Sequence, residues 1–221
     1  MIVAERKPFE EIKDMLASFK KVFILGCDTC VAVCMAGGKK EVGVLASQLR
    51  MSYKQDGKDI TIDEDTVERQ CNKEYMERII EKLQEYDVVV SMACGAGAQL
   101  LADLCEPTQI LPGVNTRFIG MTPKDGHWVE RCRACGNCVL GETGGICPVT
   151  VCAKGIMNGP CGGTDHGKCE VDKEKDCAWT LIYQRLDKMG KLDNIKQAFP
   201  PRNHAAQTNP ASQVHEVYKG E

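Results

Sequence analysis

Fourteen cysteines in 221 residues constrain this chain more than any other feature of its sequence. Cysteine at this density is typical of disulfide-rich secreted proteins and of proteins that bind metal through thiolates in a reducing compartment. The first eight residues, MIVAERKP, lack the long apolar run of a secretory signal, and no stretch reaches the roughly eighteen apolar residues of a membrane span. The sequence therefore predicts metal ligation by thiolates in a cytoplasmic protein without a membrane span.

The first group of cysteines directly follows a short apolar run that predicts a buried strand. Cys27, Cys30 and Cys34 form a C-x2-C-x3-C motif. A loop or a first helical turn can direct three thiolates with this spacing at one metal centre. The fourth ligand must come from elsewhere, and either Cys71, which precedes a predicted helix, or Cys94, which follows a predicted strand, could complete a 4Fe–4S site.

A second group of eight cysteines lies between residues 131 and 177, where glycines are frequent and the apolar pattern is not periodic. These are Cys132, Cys135, Cys138, Cys147, Cys152, Cys161, Cys169 and Cys177. Eight thiolates are enough for two sites with four thiolate ligands each. These sites could be two 4Fe–4S clusters, or one cluster and a structural zinc. The three closely spaced cysteines favour clusters. The C-x2-C-x2-C run with a later Cys-Pro resembles the bacterial ferredoxin motif. Its last gap is longer than in ferredoxins, so the division of the ligands between two sites stays open.

Other residues carry weaker signals. Cys105 lies in an apolar helical pattern and is expected to be a core residue. His127 and His166 could each replace a cysteine ligand, but a lone histidine is more often solvated or hydrogen-bonded. The glycines after Cys94 lack the third glycine of a dinucleotide-binding loop. No Cys–His or Ser–His pair indicates nucleophilic catalysis.

Short apolar strands alternate with amphipathic helices before the second cysteine group, which predicts an α/β sandwich with a parallel sheet. The predicted strands are 21–26, 59–62, 87–92 and 116–120, and the predicted helices are 8–19, 37–51, 72–86, 98–105 and 178–190. The predicted domains are an α/β domain at 1–125 with the N-terminal cluster site, a small cysteine-rich, metal-stabilised domain at 126–200, and an extended tail at 201–221. The formal charge of −3 and the 5% aromatic content argue against nucleic acid as a partner.

Three strings give the second cysteine group a specific resemblance: CRACGNC at 132–138, TGGICPVTVCAK at 143–154 and NGPCGG at 158–163. Together they resemble the methylenetetrahydrofolate reductase C-terminal domain family. The resemblance is strong over 127–200, and the preceding part, with GCDTCVAVC at 26–34, is similar to the rest of the small iron–sulfur subunit of acetogen-type reductases.

The resemblance implies a non-catalytic electron-transfer subunit of an oxidoreductase complex in the Wood–Ljungdahl pathway of one-carbon metabolism. Its cysteines would hold two or three 4Fe–4S clusters, with zinc as the alternative at one site. Its partners would be a flavin-containing methylenetetrahydrofolate reductase subunit, and ferredoxin or another electron-donating subunit. Two other functions fit the residues: a zinc-binding scaffolding subunit, and a thiolate- or zinc-assisted methyl-transfer protein, which would need an open coordination position on its metal.

Overall fold

The computed structural model describes residues 1–207 and 210–219 and divides into two compact units, Met1–Val129 and Glu130–Glu221. Four residues of the predicted tail, Thr208, Asn209, Gly220 and Glu221, lie outside the described residues. Within the described part of the chain, no helix is long and apolar enough to cross a membrane.

The first unit is a mixed α/β structure with two sheets. Its strands are β1 (Ile2–Arg6), β2 (Lys21–Cys27), β3 (Thr61–Val67), β4 (Val88–Ser91), β5 (Gln109–Pro112), β6 (Val114–Lys124) and β7 (His127–Cys132), the last of which runs on past Val129. Its helices are α1 (Phe9–Met15), α2 (Cys30–Val33), α3 (Lys39–Gln55), α4 (Lys73–Met76), α5 (Ile80–Leu83) and α6 (Gly95–Cys105). Four strands form a parallel sheet in the order β3-β2-β4-β5, as the alternating pattern predicts.

The central strand β2 shows why this sheet forms. All of its residues from Val22 to Cys27 are buried, which is typical of a parallel strand covered on both faces. Val22 and Ile24 belong to one apolar cluster together with α1 and α3, whereas Phe23 and Leu25 belong to a second cluster together with α5 and α6. Helices on both faces leave the ends of the strands as the accessible part of the sheet.

Two predictions for this unit are wrong. The segment predicted as the strand 116–120 does not join the parallel sheet; it lies in β6, which pairs antiparallel with β1 in a separate sheet of order β1-β6-β7. The predicted helix 72–86 is two short helices, α4 and α5, although no glycine or proline marks the interruption between them. Apolar periodicity reports which side chains are buried, and it does not report the pairing partner of a strand.

The second unit has little regular structure. Its helices are α7 (Pro148–Val151) and α8 (Ala178–Lys188), with 3-10 turns at Leu192–Lys196, His204–Gln207 and Glu216–Tyr218. Its buried apolar cluster consists of Cys177, Trp179, Ile182 and Leu186. So small a core cannot supply the stability of an ordinary domain, and small units of this kind are usually held together by metal ions or disulfides.

Candidate metal centres

Three neighbouring parallel strands bring cysteines to the same edge of the sheet. Cys27 is the last residue of β2, and the loops after β3 and β4 contain Cys71 and Cys94. The Cys27 sulfur lies 3.7 Å from the carbonyl oxygen of Glu68, just beyond the end of β3. Carboxyl ends of parallel strands meet at one edge of a sheet, which is where binding sites form in open α/β sheets.

A buried glutamine joins the ends of these strands. The Gln70 side-chain amide donates to the carbonyl oxygens of Leu25, at 2.8 Å, and Gly26, at 3.1 Å. Its carbonyl oxygen accepts a 2.6 Å hydrogen bond from the hydroxyl of Ser91, the last residue of β4. Gln70 is fully buried, so these bonds form in a poorly solvated environment and fix the loop that contains Cys71.

The thiols at this edge are close enough to influence each other's ionisation. Although Cys71 is exposed as a residue, partial burial of its thiol raises the pKa, and the charges of three other thiols raise it further. Those three thiols belong to Cys94, Cys27 and Cys30. The four are called the strand-end cysteines below: Cys27, Cys30, Cys71 and Cys94. Mutual repulsion of neighbouring thiolates is relieved when they bind a metal cation.

Cys34 has a different environment from the other two cysteines of its motif. It is buried, and its thiol donates to the carbonyl oxygens of Ala4, at 3.3 Å, and Val31, at 3.5 Å. The amide of Ala4 in β1 donates back to the same sulfur at 3.4 Å. Burial raises the pKa of the Cys34 thiol, hydrogen bonds from the backbone amides of Ala4, Cys34 and Ala36 oppose this effect, and the neighbouring Cys30 thiol adds to it.

In the second unit, four cysteines surround one cavity of about 360 Å³. They are called the first C-terminal group: Cys132, Cys135, Cys138 and Cys147. Arg131 and Arg133 also line this cavity, and the amide of Ala134 donates to the Cys132 sulfur at 3.4 Å. Nearby charge and hydrogen bonds to sulfur are features that tune a thiolate-bound cluster.

The other four cysteines of this unit line a second and much smaller cleft of about 20 Å³. They are called the second C-terminal group: Cys152, Cys161, Cys169 and Cys177. The Cys161 thiol donates to the Glu170 carboxylate at 3.3 Å, and Lys154 forms an ion pair with the same carboxylate. Both partners of this ion pair also line the cleft.

Cys177 is the member of the second C-terminal group whose environment most favours the thiolate. It precedes the first residue of α8, where backbone amides point outward. Burial raises its pKa, but hydrogen bonds from the amides of Thr180 and Trp179 and from the hydroxyls of Thr164 and Thr180 outweigh burial, so the pKa is lowered. A lowered pKa increases the fraction of the thiolate, the form that binds metal, at a given pH.

The donor chemistry of these groups suits soft metals, because each consists of four thiols and thiolates bind iron–sulfur clusters and zinc. Among residues 1–207 and 210–219, no three His, Cys, Asp or Glu side chains already converge on the position of a single ion. The larger cavity has room for a 4Fe–4S cluster, whereas the cleft of the second C-terminal group is much smaller. The residues at the first C-terminal group therefore fit a cluster.

Several predictions about single residues can be compared with the structure. Cys105 is fully buried in the core against α5, as its apolar pattern predicts. His166 is exposed and contacts Asp165, and neither it nor His127 lines one of the two cysteine cavities. Sequence reasoning missed Gln70, which stands in a run of polar and charged residues that gives no sign of burial.

Residues 111–205 match the protein family described as "Methylene-tetrahydrofolate reductase C terminal". The chain therefore carries a methylenetetrahydrofolate reductase C-terminal-like segment. The match covers somewhat less than half of the chain and includes all eight cysteines of the two C-terminal groups, whereas the strand-end cysteines lie before it. No curated protein and no solved structure was found to match the chain.

Proposed function

We propose that this chain is an iron–sulfur electron-transfer subunit that delivers electrons to a flavin-containing partner, which reduces 5,10-methylenetetrahydrofolate to 5-methyltetrahydrofolate. The observation that carries the proposal is the division of the eight C-terminal cysteines into two groups of four around two separate cavities. Four thiolates are the usual ligand set of a 4Fe–4S cluster. The similarity of residues 111–205 to the reductase C-terminal family supports the folate pathway as the setting.

A 4Fe–4S cluster supplies one-electron transfer, and its reduction potential depends on nearby charge, on hydrogen bonds to sulfur and on exposure to solvent. In the first C-terminal group, the residues that would tune it are Arg131, Arg133 and the amide of Ala134. Cationic side chains favour the reduced and more negative state of a cluster. Hydride chemistry would belong to the flavin of the partner, and ferredoxin or another low-potential donor would supply the electrons.

The narrow cleft of the second C-terminal group favours one further candidate for that site alone. Its volume of about 20 Å³ is suited to a single zinc ion held by four thiolates. Zinc there would stabilise the second unit without carrying electrons, and the first C-terminal group would remain the site that transfers electrons within this unit.

Metal analysis of the full chain, prepared without oxygen, tests the proposal. We expect a brown protein with about four irons and four sulfides for each cluster, a colour bleached by dithionite, and a paramagnetic resonance signal after reduction. About one zinc per chain in addition, lost on replacement of Cys161 by serine, would assign zinc to the second C-terminal group. A chain that contains zinc and no iron would contradict the electron-transfer function.

Cys135→Ser tests whether electrons pass through the first C-terminal group. Serine keeps the size of the side chain but is a poor ligand for iron. We expect loss or conversion of one cluster and a sharp fall in ferredoxin-driven reduction of methylenetetrahydrofolate by the complex reconstituted with its flavin subunit. Artificial reductants that reach the flavin directly should still support the reaction. Cys105→Ser is the control, since Cys105 is a core residue, and it should keep both the metal content and the ferredoxin-driven rate.

A further inference from the structure

We propose that Cys27, Cys30, Cys71 and Cys94 ligate a third 4Fe–4S cluster at the carboxyl edge of the parallel sheet, and that Cys34 is not a ligand. All four residues precede the segment that matches the reductase family, so this site goes beyond the function proposed above. It rests on the proposed function only in expecting the same type of cluster.

The topology of the sheet brings these ligands together from distant parts of the sequence. The strand β2 lies between β3 and β4, and Cys27 at its end is flanked on one side by the loop with Cys71 and on the other by the loop with Cys94. Cys30 begins α2, which directly follows β2. The four thiols therefore come from the ends of three adjacent strands, which no spacing in the sequence would indicate.

Close backbone contacts hold two of the loops against each other. A β-carbon on Gly97, in the first turn of α6, would stand 2.9 Å from the β-carbon of Gln70 and 3.5 Å from the amide nitrogen of Cys71. The start of α6, preceded by Cys94, therefore packs directly on the segment that contains Cys71. The buried side-chain amide of Gln70 forms hydrogen bonds with both β2 and β4 and so holds the same segment against these strands.

The origin of the ligands favours a cluster over a single ion. Cys71 and Cys94 follow different strands, β3 and β4, which lie on opposite sides of β2. Zinc holds its four sulfurs at about 2.3 Å, which requires all of them to converge closely, and zinc sites more often use two C-x2-C pairs. This site has only one such pair, Cys27 and Cys30, and its other two ligands come from the flanking strands.

Cys34 is excluded by the contacts of its sulfur. Its thiol is buried and bonded to the amide and the carbonyl of Ala4 in β1, as well as to the carbonyl of Val31. A thiolate that ligates iron can still accept from the Ala4 amide, but it has no proton to donate, so ligation would remove the hydrogen bonds to the carbonyl oxygens of Ala4 and Val31. Cys34 therefore contributes to the packing of β1, although it belongs to the same C-x2-C-x3-C motif as two of the ligands.

The decisive experiment compares Cys71→Ala with Cys34→Ala in the full chain, produced without oxygen. Cys71 is exposed, so its replacement should leave the fold intact, which circular dichroism checks. We expect Cys71→Ala to lose about four irons or to show the resonance signal of a three-iron species, and Cys94→Ala to do the same. Cys34→Ala should keep all of its iron, with a lower melting temperature as the only change.

Two outcomes would overturn the proposal: full iron content and an unchanged spectrum in both Cys71→Ala and Cys94→Ala, or loss of the same cluster in Cys34→Ala with the fold retained. Zinc in place of iron at the strand-end cysteines would also contradict it. Failure of the proposed function looks different, because the C-terminal groups would then contain no iron and Cys135→Ser would leave the iron content unchanged. A chain that keeps C-terminal clusters but is insensitive to the strand-end substitutions would refute only this third site.

Discussion

Replacement of Gln70 by leucine should loosen the edge of the parallel sheet without removing a ligand. Leucine has a similar volume, so the change mainly deletes three hydrogen bonds, two to β2 carbonyls and one from the Ser91 hydroxyl. A buried hydrogen bond contributes about 1 kcal/mol net, so we expect a loss of about 3 kcal/mol. The Leu25 carbonyl still accepts from the amide of Met92, at 2.8 Å, which keeps the loss from being larger.

Ser91→Ala provides the matched control. It deletes the hydrogen bond to Gln70 and a longer one, at 3.4 Å, from the amide of Ala93, and it leaves the Gln70 side-chain oxygen without its donor, at a cost of about 2 kcal/mol. The double variant should lose little more free energy of unfolding than Gln70→Leu alone. In the Gln70→Leu variant the Ser91 hydroxyl has already lost its acceptor, so its removal changes little. The difference between the double variant and the sum of the singles should therefore be about 2 kcal/mol.

Hydrogen–deuterium exchange of peptides from β2 and β4 is the suitable assay, because unfolding of a chain with two units does not give one free energy. A loss of about 3 kcal/mol corresponds to roughly a hundredfold faster exchange in these strands, since 1.4 kcal/mol is tenfold. A chelator should also extract iron from the strand-end site faster. Exchange within about threefold of the unsubstituted chain would refute the reasoning that Gln70 joins the strand ends.

Two further predictions concern the first unit. Burial and a hydrogen bond to Asp63 raise the pKa of Tyr86 to about 12, above its usual value near 10. The protonated Tyr86 hydroxyl therefore stabilises the folded chain fully below pH 10, and this contribution is lost as the pH rises towards 12. The difference in melting temperature between the native chain and Tyr86→Phe should shrink over that range, and a constant difference would contradict it. A β-carbon on Gly37 would stand 1.8 Å from the Met92 carbonyl oxygen, so Gly37→Ala should destabilise the parallel sheet by about 2 kcal/mol or more, measured by hydrogen–deuterium exchange of peptides from β2 and β4. The control Gly43→Ala, in α3 with open space around it, should be neutral or stabilise by up to about 1 kcal/mol; equal effects would disprove the steric argument.

Local patterns in the sequence predict the parallel sheet because its two central strands, β2 and β4, are almost entirely buried. The runs around Phe23 and Val89 are continuously apolar, and each is followed by a helix with one apolar face. The strand β1 was not predicted, since only Val3 and Ala4 are buried and its identity depends on pairing with β6, more than a hundred residues away. Such long-range pairing leaves no periodic signal in a short strand.

The sequence predicts which cysteines are candidate ligands, but it does not predict how these cysteines divide into sites. The spacing of Cys132, Cys135 and Cys138 indicates a common centre, and the structure places them on one cavity. The spacing of Cys27, Cys30 and Cys34 suggests the same, yet the Cys34 sulfur is bonded to β1. A short motif fixes only which residues are close in sequence. The direction of each side chain depends on the hydrogen bonds and contacts that the neighbouring strands provide.

The order of the ligands along the chain bears on how the protein is synthesised. In two-cluster ferredoxins the fourth cysteine of a run ligates the other cluster, so neither site is complete until both runs have been made. Here the first C-terminal group ends at Cys147, before the second begins at Cys152, and the strand-end cysteines end earlier still, at Cys94. Since chains emerge from the ribosome amino terminus first, metal bound at these groups as proposed would be inserted at one site after another while translation continues, and no site would have to wait for a ligand from a later group.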